Sequence, residues 1–196
     1  MNTEGLIGIS VKGSWPQEFI LLAMLREGPE HGYRLHHRLT EDSVLSRIWT
    51  IKLSQMYFLL SKVVRRGWVR RAWRRGRQGP PRAEFSITAK GRTALRQWLA
   101  EPVEAPRELR GAFVAKLYLS YQGSPAAARS LVSRQRNALR AWQRRHTRGQ
   151  PRTGMASAAL RIRDVQTQAA IVYLGQLWRS RAFRAHRTRS KPLLDL

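Results

Sequence analysis

Between Lys62 and Arg82 the chain carries nine cations and no carboxylate: Lys62, Arg65, Arg66, Arg70, Arg71, Arg74, Arg75, Arg77 and Arg82. Ammonium and guanidinium groups at that density, without acids to neutralise them, are suited to phosphate. Each such contact to a polyanion releases a counterion, so binding falls steeply with salt. Immediately before this stretch, Met56, Leu59, Leu60, Val63 and Val64 recur at three- and four-residue spacing, which predicts a helix with one buried face. The opposite face holds Ser54, Gln55, Phe58, Ser61, Lys62 and Arg65. Polar and basic residues are ordinary on a solvated helix face. Phe58 is not: it is either half-covered by a neighbouring element or held for a partner. Gln55 has the donor and acceptor needed to pair two hydrogen bonds with adenine.

Other chemistry finds little support. Twelve carboxylates are scattered, and the adjacent Glu41 and Asp42 would point about 100° apart on a helix, a poor acid–base pair. His31, His36 and His37 cluster, but no spacing sets two of them on one helical face as a metal would require. Gly76 to Gly79 lacks the Lys-Ser/Thr ending of a phosphate loop. With no cysteine, disulfides, thiolate zinc sites and a thiol nucleophile are excluded, and a reducing cytoplasm fits. The expectation is therefore no enzyme, no metal and no cofactor. The seven tryptophans are read as core. Trp98, Trp142 and Trp178 could border a ligand pocket, although packing is the simpler role for each.

The whole chain shares the basic bias: 37 Lys and Arg against 12 Asp and Glu, a formal net charge of +25 over 196 residues. Of the cations 31 are Arg and 6 are Lys, a ratio to which GC-rich coding would contribute. Coding bias does not explain why acids are absent from Ser43 to Ala83 and again from Leu109 to Arg163. That patterning points to a polyanionic partner. The most apolar run, Phe19 to Leu25, is far short of the ~20 residues of a membrane span. The opening MNTEGLIGIS has neither a charged region nor a continuous apolar one, and no signal peptide is expected.

The elements that would position the cations follow from periodicity and punctuation. Residues 1–15 read as a flexible arm. Pro16 opens a first helix that Gly28-Pro29 ends. A second helix spans about Glu30 to Leu39 with Tyr33, Leu35 and Leu39 buried, and Ser43 to Thr50 is a connection of undefined form. The third helix, with Phe58 on it, stops at Gly67. Two strands, Trp68 to Trp73 and Ala83 to Ile87, flank the turn-rich basic tip Arg74 to Pro81. Thr88 caps a helix from Ala89 to Ala100. Beyond Pro102 and Pro106 the chain reads as helical: Arg107 to Tyr121, Pro125 to Arg148, and Met155 to Ala185 after a linker at 149–154. Met155, Ala158, Ile162, Val165, Ala169 and Val172 form a narrow seam on the last helix, suited to a dimer or to packing within the chain. The expected fold is mainly α. A winged helix-turn-helix at 16–104 is followed by an α-helical dimerisation domain at 105–186 and a basic tail at 187–196.

Three helices, two strands with a basic tip, then a helix is the order of a DNA-binding winged helix, whose third helix enters the major groove. At motif level the chain resembles the PadR-type transcriptional regulators. Gly28-Pro29-Glu30-His31-Gly32-Tyr33 is similar to that family's GPxHGY, and Gln55-Met56-Tyr57-Phe58-Leu59-Leu60 to its xLYxxL. Gly67-Trp68-Val69 stands for GLI, and Arg82 through Phe85-Ser86-Ile87-Thr88 with Gly91 for RxxYxLTxxG. Trp98 to Pro102, Arg107 to Arg110, Phe113 and Lys116-Leu117 resemble the start of the helical domain of longer members. The resemblance implies a homodimer joined by its C-terminal helices, a repressor more often than an activator, and in many members a small-molecule inducer or stress signal that releases DNA. It places Tyr57 near a phosphate, Arg82 as anchor of the wing, and His31 and Tyr33 close to the backbone. The serine that commonly caps the recognition helix is replaced by Lys52, so either Thr50 or Ser54 caps it or the helix starts ragged. The usual acidic run before the glycine is here Val64-Arg65-Arg66.

The expected function is a dimeric DNA-binding regulator on an inverted-repeat operator, contacting duplex through Ser54, Gln55, Tyr57, Phe58, Ser61, Lys62 and Arg65, with sequence read by Gln55, Phe58 and Ser61, and with Arg75, Arg77 and Arg82 on the wing. The alternative is a sequence-indifferent nucleic-acid-binding or architectural protein, which the extra arginines favour. A third reading, docking on anionic membranes, is disfavoured because the last helix lacks a basic face opposed to a broad apolar one.

Overall fold

A computed structural model describes residues 15–42, 44–74, 81–147 and 153–177. The chain divides into two compact units, Met1–Trp98 and Leu99–Leu196.

In the first unit, α1 (Pro16–Met24) begins on the proline and is buried from Glu18 onward. It ends four residues before Gly28, earlier than Gly28-Pro29 suggested, through a turn in which Leu25, Arg26 and Glu27 donate back to Leu21, Ala23 and Met24. Glu30 and His31, expected to start the second helix, instead form a two-residue strand β1. The reason is tertiary: the edge of β3 (Arg82–Ile87) offers them a ladder, with Glu30 opposite Phe85 and His31 opposite Glu84. α2 then runs Gly32–Glu41. Leu35 and Leu39 are buried as expected, but Tyr33 is exposed. It lies about 200° around the helix from Leu35 and cannot share its face.

The undefined segment contains a short α3 (Leu45–Ile48), whose first turn Asp42 caps by accepting from the Val44 and Leu45 amides. α4 (Leu53–Arg65) is the third helix of the sequence reading. Gly67, at φ 69°, reverses the chain. β2 (Val69–Arg74) pairs antiparallel with β3 from Val69–Ile87 to Arg74–Arg82, giving a sheet ordered β1-β3-β2. Thr88 caps α5 (Ala89–Ala100) by accepting from the Gly91 amide at 3.0 Å, while its hydroxyl donates to the Gly67 carbonyl at 2.7 Å. Phe19 is the centre of the core, stacked on Trp98 at 4.6 Å and tilted against Trp68 at 5.5 Å.

In the second unit the helix expected from Arg107 is broken. A 3-10 turn, Pro106–Arg110, precedes α6 (Ala112–Gly123), because Gly111 takes a non-helical φ of −115° and ψ of −83°. α7 (Pro125–Thr147) and α8 (Gly154–Gln176) follow. Val103, Phe113, Leu131, Val132, Leu139, Ile171, Leu174 and Leu177 form the core. Trp142 is buried here, as Trp98 is in the first unit, so both serve the core role expected of them. Gln135, also buried, clamps Val103 by bonding both its N–H (2.8 Å) and its carbonyl (3.1 Å). Residues 1–14 of the expected arm, 149–152 of the expected linker at 149–154, the last helix beyond Leu177 and the tail lie outside the described residues, while Trp15 precedes α1 and Gly154 already begins α8. No described helix is long and apolar enough to cross a membrane.

Lys116 is buried in this unit and donates to the Glu101 carbonyl at 2.7 Å. Desolvation lowers its ammonium from 10.5 to about 8, against the opposing pull of Glu101 and Glu108. The folded-state value lies below the unfolded one, so between them the unfolded chain holds more protons and stability rises with pH. Denaturant unfolding of the chain should therefore show stability climbing from about pH 8 toward 10.5, by about 3 kcal/mol at most. Lys116→Met should flatten that climb; an unchanged slope in the variant would assign it to other groups.

Candidate nucleic-acid interface

α4 carries three kinds of surface besides its buried stripe of Met56, Leu59, Leu60 and Val63. Ser54, Phe58, Ser61 and Arg65 are exposed and, at about 100° per residue, lie along one outward line. Tyr57 and Val64 face the wing. Gln55, Lys62 and Arg66 flank the line on the side of α1.

On the α1 side the geometry changes the expected roles. Lys62 sits 2.6 Å from Glu18 Oε1, and Arg66 sits 3.4 Å from Glu18 Oε2. Glu18 is fully buried and its Oε1 also accepts the Trp15 amide. Lys62, expected among the DNA-facing side chains, is thus spent on α1 and lies 4.4 Å from the Trp15 ring centre. Phe58 is half-covered by the same tryptophan, 6.0 Å between ring centroids. Gln55 Oε1 accepts the Lys52 amide at 2.8 Å, which closes the start of α4. Lys52 is the N-cap residue, and the third residue of the helix does the capping that was expected of Thr50 or Ser54. Pairing adenine twice would require Gln55 to give up this bond. Gln55→Ala should therefore lower stability by about 1 kcal/mol, while Gln55→Glu, which still accepts at a helix N-terminus, should melt like the parent in thermal unfolding. Equal melting of both variants would show that the cap contributes nothing.

On the wing side a groove opens between α4 and the sheet. Tyr57, Ser61, Val64 and Arg65 line one wall; Arg71, Trp73, Ala83 and Phe85 line the other. It continues past Tyr57 and Trp73 to His31, Tyr33, Arg34 and Arg82. Tyr33, Tyr57 and Trp73 are all exposed, Trp73 by 65%. Tyr57 reaches this position because Gly32 has no side chain: a Cβ there would lie 2.7 Å from the Tyr57 ring. His31 donates through Nδ1 to the Ala83 carbonyl at 3.0 Å, so it ties β1 to β3. A carbonyl can only accept, which fixes the proton on that nitrogen. His36 is similarly occupied by the Ile51 carbonyl at 2.8 Å, and His37 by Glu41 at 3.0 Å.

The phosphate-seeking cations are fewer than the sequence count of nine. Lys62, Arg66 and Arg74 are in ion pairs, the last with Glu84 at 3.2 Å. Arg75 and Arg77 lie outside the described residues. Among the described residues, Arg65, Arg70, Arg71 and Arg82 are exposed and have no acidic ion-pair partner. Arg82 is also directly across the ladder from Arg74, a like-charged pair that an anion would relieve. Trp73, Arg34 and Gly32 belong to the groove but were not singled out from sequence, and Arg71 was counted among the nine cations without being placed in a groove. The signal for two of them was present: period-two alternation puts Arg71 and Trp73 on one face of β2 with Val69.

Residues 21–97 match the model of the transcriptional regulator PadR-like family. The chain is 30% identical over 92 residues to the probable transcriptional regulator Rv1176c of Mycobacterium tuberculosis, a match covering 47% of this chain and 48% of that protein. The chain thus spans about half the length of that relative. Among solved structures, Bacillus subtilis PadR in complex with operator DNA aligns with a TM-score of 0.43 at 19% identity, covering 82% of this chain and 96% of that one. The PadR-like transcriptional regulator BC1756 from Bacillus cereus aligns with a TM-score of 0.40 at 17% identity, covering 87% and 98%. Over residues 21–97, the stretch that holds α4 and the wing, the chain is similar to the transcriptional regulator PadR-like family.

Proposed function

We propose that the protein is a DNA-binding transcription regulator that acts as a homodimeric repressor on an inverted-repeat operator. The observation that carries this reading is the pairing of an outward α4 line, Ser54, Phe58, Ser61 and Arg65, with a cationic, aromatic groove between that helix and the wing. A helix of this size fits the major groove, and a groove beside it suits the adjacent sugar–phosphate strand. In this reading Ser54, Ser61 and Arg65 meet base edges. Tyr57, Tyr33 and Arg82 meet phosphate, and Arg75 and Arg77 at the wing tip join them. His31 positions the wing rather than touching DNA. Gln55 stands beside the reading line, with its Nε2 as the available donor.

Dimerisation through α8 is supported by the row Met155, Ala158, Ile162, Val165, Ala169 and Val172, all of them exposed. The opposite side of the helix buries Thr167, Ile171 and Leu174. Among the described residues, the chain's own helices leave the predicted seam uncovered, which favours a second copy over packing within the chain. Two copies would place two α4 helices on half-sites about one helical turn apart.

One observation favours the sequence-indifferent alternative: the α4 line offers few hydrogen-bonding groups, since Phe58 is apolar and Gln55 is occupied by its cap. Selection of bound duplex from a random pool at two salt concentrations separates the readings. A regulator enriches a two-fold symmetric motif at both salts. Arg65, Arg70, Arg71 and Arg82, exposed without an acidic partner among the described residues, would by themselves make log affinity fall with log salt at a slope of about 3–4 per protomer. An unenriched pool would leave the architectural reading in its place.

A further inference from the structure

Resting on the reading of α4 as a DNA-facing helix, we propose that Glu18 is a specificity-determining positioning residue. It withholds Lys62 of α4 and the capping Arg66 from phosphate and so keeps the outward line of that helix, rather than bulk charge, in control of binding. Glu18 never faces DNA in this scheme; it acts through Lys62 and Arg66.

Glu18 is a carboxylate at 0% exposure in a chain of net charge +25. It stands among the Trp15 amide at 2.9 Å, the Lys62 ammonium at 2.6 Å and the Arg66 guanidinium at 3.4 Å. Trp15 and Trp68 cover the two cations, with Lys62 4.4 Å from one ring centre and Arg66 4.8 Å from the other. Their side chains retain only 20% and 26% exposure, whereas Arg65, one residue before Arg66, is exposed. Of the three cations at the C-terminal end of α4, Lys62 and the capping Arg66 are therefore turned toward α1, and Arg65 is turned outward.

Physical chemistry gives that division a consequence. A cation on a flexible stem beside duplex DNA adds nonspecific affinity, because counterion release is indifferent to sequence. If Lys62 and Arg66 were unpaired, each could swing to the flank of α4 and add a phosphate contact. Affinity for every duplex would rise while the contribution of base edges stayed constant, so discrimination would fall. The same carboxylate fixes how α4 is rotated on α1, with Phe58 held against Trp15 at 6.0 Å.

The test is Glu18→Gln in the full chain, an isosteric change that leaves an acceptor for the Trp15 amide. Binding to a random duplex should tighten, and its salt slope should steepen by about 0.9–1.8, one or two released counterions. The ratio of selected-site to random-duplex affinity should fall at least tenfold. Elution from immobilised heparin should move to higher salt, an arm that holds even if the parent shows no preferred duplex. That result would count against the regulator reading and not against the withheld cations. A merely structural role predicts weaker binding to all duplexes with no steeper slope, and that outcome, or an unchanged heparin elution, overturns the proposal. If Glu18→Gln fails to fold, Glu18→Gln with Lys62→Met and Arg66→Met removes the charges together. The triple variant should recover the parent's slope, and a slope steeper than the parent's would refute the assignment.

Discussion

Gly91→Ala is expected to destabilise the first unit by more than about 3 kcal/mol, a large fraction of the about 5–15 kcal/mol by which a folded protein is ordinarily stable. A Cβ on Gly91 would lie 2.1 Å from the Trp68 carbonyl oxygen and 2.9 Å from its carbon. Those atoms are backbone and cannot rotate away, so α5 and the start of the wing would have to separate by more than an ångström. The separation breaks a joint made by one residue. The Thr88 amide donates to the Trp68 carbonyl at 2.9 Å, its hydroxyl donates to Gly67 at 2.7 Å, and the Gly91 amide returns to that hydroxyl at 3.0 Å. Trp68 itself is 1% exposed and leans on Phe19, so the disturbance runs into the core. Urea unfolding followed by tryptophan fluorescence measures the effect. A variant within about 0.5 kcal/mol of the parent would mean that the joint is far softer than its geometry implies.

On the proposed dimer, Ile162→Glu combined with Val165→Glu is expected to give a monomer and to weaken binding to a two-half-site duplex at least 100-fold. Both residues are already exposed in the chain, by 59% and 68%, so the charges should leave the helices of the second unit folded. In a seam between two copies of α8, the same carboxylates would be buried without partners, at several kcal/mol per ion. Losing the second copy also removes the effective concentration that makes the second half-site cheap to occupy, a factor of about 10²–10⁴. Sedimentation velocity gives the mass, and binding to one-half-site and two-half-site duplexes gives the affinity loss. The one-half-site affinity should be unchanged. A variant that still sediments as a dimer would place the seam elsewhere.

Much of the first unit was legible in the chain itself. α1, α4, the two wing strands and α5 all follow from apolar periodicity, Pro16, Gly67 and Thr88, because these are local signals with local causes. Strand β1 was not legible, since Glu30 and His31 extend only because β3 is there to pair with them. The break at Gly111 was missed because apolar spacing continued across it while one glycine opted out of the helix.

The candidate interface divides along the same line. Sequence alone determined that a helix with one apolar face precedes a basic stretch without a carboxylate as far as Ala83, and that a narrow apolar row runs along the last helix. Periodicity states which residues share a face. Only the tertiary structure decided what each face meets. It turned Lys62 and Arg66 inward onto Glu18, gave Gln55 to the helix cap and His31 to the Ala83 carbonyl, and brought Tyr33, Tyr57 and Trp73 to one groove. The reason is physical. A cation's charge is fixed by its residue type, but its availability depends on which carboxylate, carbonyl or ring the fold places within a few ångströms of it. Those partners lie up to 52 residues away along the chain.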